Sequence, residues 1–189
     1  MDSNVCIVTG PIGSGKTYVC KLLENYGFPV LDLDIVSNQF LHSEEGVFFL
    51  NKKFPNVLLN NKIQKKLLAK EVFDDNKKLL KLEEFLHPKV NEYLNSWINN
   101  LEGYGFIEVS APKRKSIEHK TIVLNAPIEL RKRRLLDRGM DSEDINRRIE
   151  IQEDEDWWNN LGENINNINS DDVEKEVVYL LKEWGWLNE

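Results

Sequence analysis

Apolar residues along the chain fall into short continuous runs separated by longer amphipathic stretches. Val5-Cys6-Ile7-Val8 is one such run and reads as a buried strand. Thr17 to Tyr26 carries a helical pattern, and Gly27 supplies its C-terminal stop. Pro29-Val30-Leu31-Asp32-Leu33-Asp34 reads as a second strand ending in acid. From about Ile35 to Leu101 the pattern is mostly helical, broken near Pro55 and at Pro88. Gly105 to Val109 and Thr121 to Leu124 read as a third and a fourth strand. Ile128 to Arg138 and Ser142 to Asp154 form two charged helices joined at Gly139. Asn164 to Ile168 alternates like an edge strand, and a last helix runs from Asp171 and Asp172 to about Trp184. Strands alternating with helices predict an α/β fold around a central parallel sheet.

The first strand leads into Gly10-Pro11-Ile12-Gly13-Ser14-Gly15-Lys16-Thr17, which fits G-x-x-x-x-G-K-[ST], the phosphate-binding P-loop. Strand, glycine-rich loop and helix is the context this chemistry needs. Backbone N–H groups of such a loop hold phosphate oxygens, aided by the positive end of the helix. Gly13, Ser14, Gly15, Lys16 and Thr17 are therefore the expected ATP site, with Lys16 on the β- and γ-phosphates and the Thr17 hydroxyl on Mg²⁺.

Length and charge narrow the partners. The 189 residues suit one domain, and the net charge of −7 argues against nonspecific nucleic-acid binding. No apolar stretch is long enough to span a bilayer, and the N-terminus runs straight into the first strand, so neither a membrane anchor nor a signal peptide is expected. Cys6 and Cys20 form no disulfide framework or metal pattern and read as buried thiols of a cytoplasmic protein.

Ligands of open parallel sheets sit beyond the C-terminal strand ends. The P-loop, Asp34, Ser110 to Lys115 and Asn125 all fall there, and the inserted helices become walls of an acceptor pocket. Asp32 and Asp34, two apart on a strand, share a face. Asp34 has two readings: a base or indirect magnesium ligand in phosphoryl transfer, or an acid capping the next helix. Arg131, Lys132, Arg133 and Arg134, with Arg138, Arg147 and Arg148 behind them, are either a solvated face or arginines that close over a transferring phosphoryl group. Lys113-Arg114-Lys115 is either a basic surface loop or a substrate phosphate clamp. Glu108 is either an acid near magnesium or an outward-facing strand residue, and His87 is either a ligand contact or structural. Trp157-Trp158 reads as an anchor for the end of the charged helix.

Taken in order, these residues resemble the dephospho-coenzyme A kinase family over nearly the whole chain. Ile7 to Gly10 with Ile12 to Thr17 looks like the family's opening, and Gly27 to Asp34 is similar to its strand ending Asp-x-Asp at the same distance from Lys16. Val72-Phe73-Asp74-Asp75, Leu82-Glu83 and His87-Pro88-Lys89-Val90 resemble a segment more specific than the P-loop. Arg131 to Leu135 and Arg148-Ile149 with Gln152 resemble the family's lid.

The resemblance implies a nucleotide-kinase-like P-loop NTPase fold of three layers over residues 1–189, with an acceptor-binding helical insertion at about 35–101 and a lid at about 128–154. It implies transfer from MgATP to the 3′-hydroxyl of dephospho-coenzyme A, with Asp34 as base and Lys16 and Arg134 on the phosphates. Arg148 and Asn167, the latter near the adenine, join the ATP site, while Asp32, Asp34, His87, Lys113 and Arg114 face the acceptor.

The chain departs from the family on the acceptor side. The family's Pro-Leu-Leu segment, ending in Glu, is here Pro112-Lys113-Arg114-Lys115-Ser116, and the acid before that Pro is replaced near Ser110. Asn38 and Lys65 stand where arginines are usual. Two alternatives follow: a P-loop kinase for a nucleoside or deoxynucleoside monophosphate, whose phosphate would suit three cations, and a nucleotide-binding regulatory protein without catalysis.

Overall fold

A computed structural model describes residues 4–60, 62–73, 75–110, 112 and 119–188, with only the backbone of Phe73. Lys113 to Ser116 and Asp74 lie outside the described residues. The chain divides into two compact units, one formed by Met1–Asp32 with Glu102–Glu189 and the other by Leu33–Leu101.

The first unit holds β1 (Val5–Thr9), α1 (Lys16–Asn25) and β2 (Val30–Asp32). The second holds α2 (Leu33–His42), α3 (Glu44–Lys53), β3 (Leu58–Leu59), β4 (Lys62–Ile63), α4 (Lys65–Phe73) and α5 (Asn76–Asn99). The chain then returns to the first unit with β5 (Gly105–Glu108), β6 (Lys120–Asn125), α6 (Ile128–Asp137), α7 (Ser142–Glu150), α8 (Glu155–Asn159), β7 (Glu163–Asn166) and α9 (Ser170–Glu183).

The apolar runs become one sheet in the order β2-β5-β1-β6-β7, and every pairing in it is parallel. β1 is fully buried at its centre, which explains why its run is continuously apolar rather than alternating. α1 and α9 pack their apolar stripes on the sheet, joining Val19, Leu23, Val173, Val177 and Leu181 to Val8, Phe106, Ile122 and Ile165. Gly27, at φ 89°, ends α1 with its N–H on Glu24 O, as its position in the sequence predicts. Cys6 and Cys20 are free and buried.

In the second unit Leu50, Phe54, Val57, Leu68, Val72 and Leu82 form a separate core. Phe49 stacks on Phe85 with ring centroids 4.1 Å apart. Ser43 caps α3 by accepting from Gly46 N–H, and Asp75 caps α5 by accepting from Lys77 N–H.

Four expectations need correction. The second strand stops at Asp32, so Asp32 and Asp34 do not share a strand face; Asp34 lies in the first turn of α2. The cause is tertiary, because β2 pairs only with β5, whose ladder ends at Glu108 opposite Asp32. Pro88 does not break a helix: α5 runs through it for 24 residues, with apolar contacts outweighing the one backbone bond a proline forfeits. The helix expected over Ser142 to Asp154 ends at Glu150, and Asp154 instead caps α8 through Trp157 N–H. A hairpin, β3 with β4, follows the expected break at Pro55. Trp158 is buried and its indole donates to Glu153 O, an anchoring role as expected. No helix among the described residues is long and apolar enough to cross a membrane.

Candidate active site

The P-loop spans the turn from β1 into α1 and sits at the C-terminal edge of the sheet, where β5 ends at Glu108 and β2 at Asp32. Gly13 and Gly15 take φ of 79° and 99°, a region that disfavours any side chain. A Cβ on Gly13 would also lie 2.8 Å from Arg131 O, so the loop packs directly on the α6 backbone.

Within the loop, Ser14 N–H donates to Pro11 O at 3.1 Å. Lys16 Nζ donates to Gly10 O at 2.8 Å, so the ammonium lies over the loop. The side chain of Ser14 is enclosed, and its Oγ is the buried polar side-chain atom that finds no partner among the described residues.

Side chains distant in sequence hold this loop. Asn167 Nδ2 donates to Ser14 O at 2.8 Å, and Arg134 Nη1 reaches the same carbonyl at 3.3 Å. Arg134 Nη2 donates to Asn167 O at 2.9 Å and to its Oδ1 at 3.2 Å. Burial, then the charge of Arg138, pushes the Arg134 guanidinium below its ordinary pKa. A cavity of about 360 Å³ opens beside these groups, lined by Gly15, Tyr18, Arg134, Asp137, Arg138, Asn167 and Ser170.

On the other side of the loop, Thr17 Oγ1 donates to Glu108 Oε1 at 3.3 Å. Glu108 is only 8% exposed, so its outward reading is wrong despite its apolar neighbours. It faces α1, where the Cys20 thiol also donates to it. Burial raises the Glu108 pKa above the usual carboxylate value; Asp32 adds to this, while the Cys20 hydrogen bond and the Lys16 charge oppose it. The Cys20 thiol is in turn pushed up, first by burial and then by Glu108.

Arg148 lies on α7, its Nε donating to Asp144 Oδ2 at 3.0 Å. Asp34 and His87 are exposed residues of the second unit, on α2 and α5. Lys113 and Arg114 lie outside the described residues. The first unit thus brings Gly13, Ser14, Gly15, Lys16, Thr17, Arg134 and Asn167 together. Sequence reasoning missed Tyr18 and Ser170 as cavity walls. It also gave no positional role to Gln152, whose side chain accepts from Ile12 N–H across 140 positions, a separation no local pattern reveals.

Mg²⁺ fits the residues present. A threonine hydroxyl beside a buried carboxylate, with Asp32 in register next to it, is an oxygen donor set suited to a hard cation. Among the described residues no group of three or more His, Cys, Asp or Glu forms a metal cage.

Comparison with known proteins points one way. The family model for dephospho-CoA kinase, CoaE, matches residues 5–172. A dephospho-CoA kinase of Thermus thermophilus is 35% identical over 143 residues, covering 73% of this chain and 70% of its own. The crystal structure of TT1252 from Thermus thermophilus superposes with a TM-score of 0.86 at 31% identity, covering 97% of this chain and 98% of that one. A dephospho-CoA kinase from Campylobacter jejuni gives a TM-score of 0.69 at 25% identity, with 96% of each chain covered.

Proposed function

The chain belongs to the dephospho-CoA kinase family, and from that premise we infer that it moves the γ-phosphoryl group of ATP to the ribose 3′-hydroxyl of dephospho-CoA, giving CoA and ADP. The observation that carries the transfer half is the P-loop, with Lys16 over it and Arg134 and Asn167 tied to its Ser14 carbonyl. The acceptor is carried by the family. The two alternatives are not favoured: the relatives are named for dephospho-CoA, and the intact Lys16 and Thr17 suit catalysis.

The amides of Gly13, Gly15, Lys16 and Thr17 would bind the phosphate oxygens, since Ile12, Ser14, Tyr18 and Val19 spend their N–H groups inside the protein. Lys16 would swing from Gly10 O onto the β- and γ-phosphates, and Arg134 would face the transferring group. The cavity beside Gly15 would take the nucleoside, with Asn167 in its wall and Arg148 drawn in from α7. Mg²⁺, held through Thr17 with Glu108 behind it, would neutralise charge on the phosphates.

Asp34 would orient the 3′-hydroxyl and accept its proton as the 3′-oxygen bonds to the γ-phosphorus and the β–γ bridging bond breaks. Its place in the chain supports this role: it is exposed and lies two residues past the end of β2. Asp32, His87, Lys113 and Arg114 are the further residues proposed to bind the acceptor, with residues of about 35–101 as the acceptor-binding insertion and residues of about 128–154 as the lid. A cytoplasmic location suits the two free, buried thiols.

The test is to supply γ-labelled ATP with dephospho-CoA or with its 3′-deoxy analogue. Label on dephospho-CoA alone is the expected result. Equal labelling of the analogue, or none of either, would overturn the assignment.

A further inference from the structure

The tip of the P-loop is held by a closed ring of hydrogen bonds that the reaction does not itself require. Ile12 N–H donates to Gln152 Oε1 at 2.9 Å. Arg131 Nη2 donates to the same oxygen at 3.1 Å. Arg131 Nε then donates back to Ile12 O at 2.8 Å. Both backbone groups of Ile12 are thereby satisfied, its carbonyl by Arg131 of α6 and its N–H by Gln152, two residues past the end of α7. Two donors converge on one amide oxygen, so only the oxygen end of Gln152 fits there. Arg131 is half-buried, and its main chain abuts Gly13, so the loop tip rests on this one residue through both main chain and side chain.

A P-loop works by converging several amides on phosphate oxygens. Left free, its tip would have to be ordered when ATP binds, at a cost in backbone entropy. The ring orders Ile12 beforehand and turns its N–H away from the phosphate side. We propose that Arg131 and Gln152 are positioning residues that pre-organise the P-loop for the phosphates of ATP, acting through Ile12 without touching the nucleotide. The proposal rests on the kinase reading only as far as ATP binding. The two sides of the ring meet only in the folded chain, since Ile12 and Gln152 are 140 positions apart.

The test uses the full chain and measures ATP affinity by calorimetry without acceptor, alongside KM for ATP and for dephospho-CoA. Gln152→Ala should weaken ATP binding on the order of tenfold or more, because Ile12 N–H and a charged donor lose their shared acceptor. Gln152→Glu keeps an oxygen for both donors and should bind ATP within about threefold of the parent. Arg131→Ala should resemble Gln152→Ala, and the double variant should be little worse than either, since one break opens the ring. KM for dephospho-CoA should stay put.

Unchanged ATP affinity in Gln152→Ala, a Gln152→Glu variant as weak as the alanine, or additive losses would each overturn the proposal. A lowered melting temperature with normal affinity per folded molecule would do so too, by reducing the ring to a structural brace. If the alanine variants do not fold, hydrogen exchange of the Ile12 amide in the unaltered protein decides. Protection without nucleotide supports the ring, and exchange at the rate of a free loop refutes it. Weakened ATP binding in a chain that never phosphorylates dephospho-CoA would sink the acceptor assignment and leave the ring standing.

Discussion

Replacing Asn167 separates a residue that shapes the phosphate site from one that contacts the base. Its side chain is 4% exposed. Nδ2 gives Ser14 O a bond of 2.8 Å, while Oδ1 takes one of 3.2 Å from Arg134. Asn167→Ala deletes one neutral bond, worth about 1 kcal/mol, and one charge-assisted bond, worth about 1.5 kcal/mol or more. Arg134 keeps the Asn167 backbone carbonyl at 2.9 Å and Ser14 O at 3.3 Å, which limits the loss. A net cost of about 2 kcal/mol at the loop corresponds to roughly a thirtyfold weaker ATP complex. Asn167→Asp is the sharper variant. It preserves shape and the oxygen facing Arg134, but sets an oxygen against the Ser14 carbonyl, and should bind ATP more weakly than the alanine. Calorimetric titration with ATP, ADP and adenosine, with melting curves as a fold control, reads the effect. The loss should be larger for ATP and ADP than for adenosine, whose proposed cavity Asn167 also lines. Wild-type ATP affinity in Asn167→Asp, or an equal loss for adenosine, would refute the reasoning and make Asn167 a base contact.

Asp34→Asn is expected to lower kcat by about 10²-fold or more while ATP affinity holds, as for a positioned base; an equal collapse of ATP affinity would point to a magnesium role. Glu108→Gln keeps an acceptor for Thr17 but removes the charge, and should cut turnover or Mn²⁺ affinity of the ATP complex by about tenfold or more. The same change should raise the melting temperature at neutral pH. Burial holds the Glu108 pKa above its unfolded value, so its ionisation opposes folding above that value, and the gain should vanish in acid where both states are protonated. Asp144→Asn should lower stability by only about 0.3–0.5 kcal/mol at neutral pH, because the pairs with Arg147 and Arg148 are largely exposed. Arg147 first, then Arg148, holds the Asp144 pKa below its ordinary value, so the gap in melting temperature between the two proteins should close as pH falls through that lowered value.

What local chemistry dictates was legible in the sequence. The continuous run Val5 to Val8 could only be a strand buried on both faces, and Gly27 could only end a helix. The P-loop is legible because its geometry is set by eight consecutive residues. Asp34 was misplaced because the end of β2 is decided by the length of β5, a partner far along the chain. Pro88 was misread because tertiary packing overrides a local helix breaker. Glu108 was ambiguous because strand alternation gives two faces without saying that one carries Thr17 and Cys20. The ring through Ile12, Arg131 and Gln152 leaves no mark in any local window, for its members meet only once the sheet and α6 are in place.

The choice of acceptor is the central claim, and a competition assay tests it most directly. Equal concentrations of dephospho-CoA and a panel of nucleoside and deoxynucleoside monophosphates would share one pool of labelled ATP, with each product resolved and quantified. The account predicts that dephospho-CoA takes the label with the highest kcat/KM by at least an order of magnitude. A monophosphate that wins the label would contradict it, and would assign Lys113, Arg114 and Lys115 to that acceptor's phosphate instead.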